Sequence, residues 1–374
     1  MGSTHVFALT IHADYGCGHS GDCCMADWDV PVELPVYRTL RDAVAGSRLQ
    51  VHASARHMDP FVVEADLAQG AAAILRRTDS GACVFLERDT KLCIVHRDAG
   101  EAALPATCRY FPRLAVRDGR GTFITLSHFC PTAASMLFRD DCRLEIVAVP
   151  PAFPPAEYEG LVVTADDLPP LLSPATLMDD SGYTAWERHM VARCADVDRL
   201  PESVLATLQR DARLLRVWRP GGPSLAEAVE RLPPDFVPAD PPRTLRLSLA
   251  LFAEAMSAVP DDVRPATDEQ ELDAAFTEYV RPAWSAFRAP LDRYLGAKAF
   301  AAWSAYQGRG VATIVGGLEA ALGIVRVEAA RRCRNAGSRL DAALLLEAIR
   351  STEFILNHLA VREELAANWS AAER

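Results

Sequence analysis

The spacing of apolar positions changes character roughly halfway along this 374-residue chain. In the first part, hydrophobic residues come in short runs with no sustained period. Residues 29–46 (DVPVELPVYRTLRDAVAG) read as an extended piece with two prolines, then a helix that starts near Leu34 and stops at Gly46. Short apolar runs at 49–52 and 61–64 predict two strands. The stretch 81–93 predicts a β-hairpin turning at 88–90, and 121–127 another strand.

Prolines then punctuate the text. Pro150, Pro151, Pro154, Pro155, Pro169, Pro170 and Pro174 rule out long helices, so 147–184 reads as a linker or wrapped arm, with 161–163 as a possible edge strand. From about residue 185 the period becomes helical. Segments 186–194, 202–218 and 225–232 carry apolar residues three and four apart, each bounded by Pro or Gly. After a second Pro-rich break at 237–242, helices are expected at about 243–258, 268–281, 283–305, 310–335 and 338–364. Ser338 suits the N-cap of the last, with Asp341 in its first turn. The expected fold is α+β, mainly α: a small irregular cysteine-rich metal-binding domain over 1–146, the arm over 147–184, and an α-helical bundle domain over 185–374. No internal repeat is evident.

Composition narrows the function classes. Half of the residues are hydrophobic and a quarter charged, as in a folded globular protein. The formal net charge of -11 argues against nucleic acid or an anionic membrane as partner, because phosphate binding needs a clustered cationic surface. The N-terminus lacks a basic region followed by a long apolar run, and no stretch has the roughly eighteen uncharged apolar residues of a membrane span. A cytoplasmic location is the expectation, and there thiols stay reduced.

Cysteine usage then becomes the main chemical signal. Cys17, Cys23, Cys24, Cys83, Cys93, Cys108 and Cys130 fall in the first third, leaving Cys142, Cys194 and Cys333 for the rest. Thiolates are soft ligands for zinc, Cu(I) and iron–sulfur clusters, and four close a tetrahedral site or one cubane. Gly16, Gly18 and Gly21 surround Cys17 and precede the Cys23–Cys24 pair, giving the backbone freedom to wrap an ion. A lone cysteine is most often a small buried hydrophobe, the reading given to Cys142, Cys194 and Cys333. Seven ligands exceed one site, so the choice of four stays open.

The run CGHSGDCCMADWDVPVE (17–33), followed by CVFL, CIVH, CRYFPR and HFCPTAA, resembles the cysteine-cluster zinc- or iron-chelating proteins. Within them it is most similar to the flagellin lysine-N-methylases, through the CC-x-x-x-W step (Cys23, Cys24, Trp28) and the closing C-P-x-x-A block (Cys130, Pro131, Ala134). Two later stretches, DRYLGAKAF (292–300) and EAIRSTEFILNH (347–358), are similar to that family's C-terminal segments. One departure is a missing cysteine between Cys17 and the pair, where Ser20 or a neighbour stands. The resemblance implies a [4Fe-4S] cluster, zinc being the alternative, and methyl transfer from S-adenosylmethionine to an exposed lysine of a protein substrate such as flagellin. The rival reading is a non-catalytic zinc- or iron-binding module, or a redox or metal sensor with a helical partner-binding domain.

Other residues could supply supporting chemistry. The transfer needs a deprotonated amine in line with the sulfonium methyl. Asp14 and Tyr15, just before Cys17, are the nearest candidates for proton acceptor and π-face contact. Arg109 and Arg113 flank Tyr110-Phe111-Pro112 and could clamp a cofactor carboxylate, or pair with Asp22, Asp27 or Glu87. His19, His96 and His128 lie beside cysteines as candidate ligands or bases. Glu353 and His358, five apart, are not expected on one face of a helix. No strand-to-glycine-turn nucleotide motif is present; the glycines at 308–317 sit in helical text.

Overall fold

The computed structural model describes residues 5–26, 28–52, 57–63, 70–140, 142–151, 169–196, 198–265 and 267–371. The expected edge strand at 161–163 lies outside them, as does Asp27. The fold is α+β and mainly α, with helices filling the C-terminal region.

Two compact units emerge. One comprises Gly16–Arg113 and Cys130–Thr132; the other comprises Met1–Tyr15, Leu114–Phe129 and Ala133–Arg374. All seven N-terminal cysteines therefore belong to the first unit, and Cys142, Cys194 and Cys333 to the second. Residues 114–129 and 133–146, read from sequence with the cysteine segment, group with the helices instead. They do so because they form a sheet whose inner face is apolar.

That sheet has four strands in the order Arg113–Asp118, Gly121–Leu126, Val6–Leu9, Ile146–Val149. Val6–Leu9 runs parallel to Gly121–Leu126, with Phe7 opposite Phe123, and antiparallel to Ile146–Val149. Leu9, Val116 and Phe123 join the same buried core as the helical residues. At the centre of the helices lies Val311–Ala336, 26 residues long and buried nearly all round. A helix apolar on every face needs neighbours on every side, and it packs against Arg246–Ser257, Ala342–Phe354, Pro201–Leu215 and Arg362–Ala371. Its buried Arg326 is met by Glu202 at 2.8 Å, which also accepts from Trp284 Nε1 at 2.8 Å.

Several expectations need correction. Residues 49–52 form no strand; His52 donates one backbone bond to Val84 at 2.8 Å and no ladder continues it. The helix expected over 283–305 is broken into Arg281–Trp284, a 3₁₀ turn, and Arg288–Ala299. Pro290 explains the break: without an N–H, and with a ring that clashes with the preceding turn, proline is tolerated only near a helix start. The last helix is capped by Asp341, not Ser338, its side chain accepting from Leu344 N at 2.8 Å. It also divides into Ala342–Phe354, a π-helical turn Ile355–Leu359, and Arg362–Ala371.

The cysteine unit is built on a three-stranded antiparallel sheet, Pro31–Glu33, Ala71–Leu75, Phe61–Val62. The predicted helix Leu34–Ala45 lies against it, ending before Gly46. The predicted hairpin forms with Leu86 opposite Cys93 and Glu87 opposite Leu92. Its core includes Val32, Leu40, Phe61, Val84 and Phe85.

Candidate metal centre

Each cysteine of the pool is placed by a short local device. Cys23 and Cys24 sit on the one-turn helix Asp22–Met25, which Gly21 starts in the left-handed conformation, φ 76°. A Cβ on Gly21 would press on Lys91 and Leu86, so the glycine serves both conformation and close approach. Cys83 N donates to Cys24 O at 2.7 Å, tying the third cysteine to the pair. Cys93 ends the hairpin strand and begins Ile94–Ala99. Cys108 lies on Ala106–Tyr110, whose first N–H is taken by Glu33 at 3.2 Å.

These thiols meet. Cys23 Sγ and Cys24 Sγ are 4.0 Å apart. Cys24 is hydrogen-bonded to both Cys23 and Cys93, which pushes its own pKa far up, burial adding to the effect. By the same bonds Cys23 is lowered and Cys93 is drawn down to about 7, helped by the backbone N–H groups of His96 and Val95. Burial pushes Cys83 up to about 11 and Cys108 well above its ordinary value, and both also feel Cys93 and Cys23. Cys17 is exposed; partial burial raises it, and its nearest charged neighbours include Cys23, Cys130 and Arg113. Cys130 is buried.

The donor set therefore fits a soft metal: Cys23, Cys24 and Cys93 meet, Cys83 and Cys108 lie within electrostatic reach, and metal binding would replace the protons the first three share. Among the described residues, however, no three or more His, Cys, Asp or Glu side chains are already spaced round a point where one ion could sit. Both findings hold: the thiols are gathered but not arrayed as a closed mononuclear site. Thiolates of a four-iron cluster each bind a different iron, so they need not surround one point.

The other predicted residues are placed as follows. Asp14 is paired with Arg139 at 2.8 Å, both in the helical unit, and Tyr15 lies half-buried beside it in the chain. Arg109 donates to Tyr110 OH at 2.8 Å and lies over that ring, while Glu87 is taken by Arg97 at 2.8 Å rather than by Arg109 or Arg113. His19 and His96 stack with centroids 5.8 Å apart. Trp28 packs on Phe111 at 5.3 Å and lies half-buried against the unit's core, as an anchor would.

Sequence reasoning missed a second polar cluster, inside the helical unit. Glu353, almost fully buried, receives Tyr294 OH at 3.0 Å and Lys298 Nζ at 3.0 Å on one oxygen, and Asn357 Nδ2 at 2.8 Å and His128 N at 3.2 Å on the other. Burial alone would raise its pKa, but Lys298 and His128 hold it well below the carboxylate range. His128 in turn lies 3.1 Å from His12, ring nitrogen to ring nitrogen. His358, which sequence spacing set apart from Glu353, lies 3.0 Å from Ser127 Oγ. Burial draws His358 down to about 4. The signal for this cluster was a charged residue inside an apolar run, Lys298 in 297–300 and Glu353 in 352–356.

No family model, curated protein or solved structure matches this chain.

Proposed function

We propose that the cysteine unit holds a thiolate-ligated iron–sulfur cluster, and that the chain is a protein-lysine N-methyltransferase of the flagellin lysine-N-methylase type. The observation that supports the metal centre is the meeting of Cys23, Cys24 and Cys93, with Cys83 and Cys108 within electrostatic reach. The methylase reading rests on the resemblance of the cysteine blocks and of 292–300 and 347–358. Ligands would be drawn from these five thiols, with Cys17, which feels both Cys23 and Cys130, and Cys130 in reserve.

When bound, the cluster would supply a fold staple, or an open iron position for the amino and carboxylate groups of S-adenosylmethionine. The transfer itself needs no metal. The lysine nitrogen attacks the sulfonium methyl, the N–C bond forms as C–S breaks, and the amine proton leaves to a base. The protein must align the two reactants and keep the amine neutral.

A second reading is favoured by one distance. With Zn–S bonds near 2.3 Å, the edge of a ZnS₄ tetrahedron is about 3.8 Å, close to the 4.0 Å between Cys23 and Cys24. A structural zinc module would use that pair.

Anaerobic purification followed by iron, sulfide and zinc analysis separates the two. About four irons and four sulfides per chain, a visible spectrum that shifts with S-adenosylmethionine, and methyl transfer to flagellin lysines are the expected results. One zinc per chain without colour supports the structural module and removes the methylase reading's main support.

A further inference from the structure

The helical unit contains a cavity that the metal centre does not use. It lies where Ala297–Phe300, the helix Val311–Ala336, and the segment from Glu353 to Arg362 come together. The two stretches singled out by their likeness to methylase C-termini, 292–300 and 347–358, both reach it. It offers about 50 Å³ to the centres of water-sized molecules. One water needs roughly 10–15 Å³ by that measure, so there is room for several waters or one molecule of about five non-hydrogen atoms.

The charged lining is unbalanced. Lys298, Glu353 and Arg362 border the cavity, two cations against one anion. Glu353 is already saturated by Tyr294, Lys298, Asn357 and His128, so it has no capacity left for Arg362. Among the described residues Arg362 makes no ion pair or hydrogen bond; its guanidinium lies 5.9 Å from the ring centre of Trp303. Partial burial of a guanidinium that no anion bonds is unfavourable; it lowers the Arg362 pKa, with only the charge of Glu363 opposing the shift. Among the described residues Lys298 has one ion-pair partner for three N–H donors. Trp303 and Trp369, ring centres 5.7 Å apart, also line the cavity, with Leu318 and Leu356.

We propose that this cavity binds a small organic monocarboxylate, its two oxygens on the Arg362 fork and Lys298, its apolar end against Trp303 and Trp369. A single negative charge balances the lining, and a planar carboxylate suits the paired donors of a guanidinium. The apolar wall favours an alkyl end over a bare inorganic ion. The inference is independent of the metal centre, because every residue it uses belongs to the helical unit.

Titration calorimetry of the full chain with sodium propionate tests it. The expected result is saturable one-to-one heat in the parent protein, absent with sodium chloride at equal ionic strength. Arg362→Gln should weaken propionate by about tenfold or more, the loss of a charge-assisted pair. Should that variant not fold, Arg362→Lys keeps the charge but loses the fork and should give an intermediate loss. No saturable heat in the parent protein, equal binding of chloride, or unchanged affinity in the folded variant would each overturn the proposal.

Discussion

Glu353 and His358 reach adjacent residues of one segment: Glu353 accepts from the His128 backbone N–H at 3.2 Å, and His358 meets Ser127 Oγ at 3.0 Å. On a regular α-helix, residues five apart diverge. Here the turn between them is π-helical, with Ala360 N bonded to Ile355 O at 2.9 Å, and the wider turn brings the i and i+5 positions together.

Glu353→Gln should therefore be costly. It leaves the half-buried Lys298 against a neutral amide, and since losing one partner of a fully buried pair costs about 3–5 kcal/mol, the loss here should be about 2–3 kcal/mol. The sign of its pH dependence follows from its lowered pKa: Glu353 contributes stability above the unfolded carboxylate range and loses it as pH falls below. Urea titrations should show a gap between parent and variant at pH 7 that narrows toward pH 3. A constant gap would mean that the Glu353 charge is not what stabilises.

The cysteine pair predicts a different readout. Cys23→Ser with Cys24→Ser should abolish metal loading, because both thiols of the 4.0 Å contact are removed. Cys333→Ser should leave metal content unchanged, since Cys333 belongs to the helical core. It should cost only about 1–3 kcal/mol for burying a hydroxyl. Normal iron and zinc content in the double variant would dismiss the proposed centre.

Asp292 carries the opposite pH sign. It is fully buried, and neither carboxylate oxygen has a hydrogen-bond partner among the described residues. Burial, then the charges of Glu202 and Asp196, push it up to about 9. Protonated when folded and ionised when unfolded, it makes stability fall as pH rises from about 4 toward 9, by up to about 1.4 kcal/mol per pH unit. Asp292→Asn should match the parent near pH 4 and exceed it at pH 8. Thermal melts at both values check this, and an equal deficit at both would refute it.

Gly310 starts the central helix with φ 63°, and a Cβ there would strike the Leu171 backbone carbonyl. Gly310→Ala combines an unfavourable dihedral with a clash that no rotamer relieves, for a loss of about 3 kcal/mol or more. Gly222→Ala, with nothing within 4 Å and no positive φ, is the control and should change little. Equal unfolding midpoints for both would contradict this account of the helix start.

Legibility followed the range of the interactions. The helices Leu34–Ala45 and Val311–Ala336 and the 86–93 hairpin were readable because period and turn residues are local. The gathering of cysteines was readable because their density needs no geometry to notice. What escaped was decided at long range. Val6–Leu9 finds its parallel partner at Gly121–Leu126, and Glu353 collects donors from Lys298 and Tyr294 on one distant helix and from His128 on another stretch. The Ser338 and Asp341 choice failed on smaller grounds, since both residue types cap helices and only the helix start decides between them.

The pairing of Phe7 with Phe123 has a kinetic side. That parallel contact encloses about 115 residues, including nearly all of the cysteine unit, and closing so long a loop from a disordered chain is entropically slow. If Gly16–Arg113 collapses first on its own core, the loop to be closed shortens and the sheet forms sooner. Refolding of the helical unit would then be paced by a unit that contributes no strand to its central pairing, and whatever steadies the cysteine unit early would act as a catalyst of the rest.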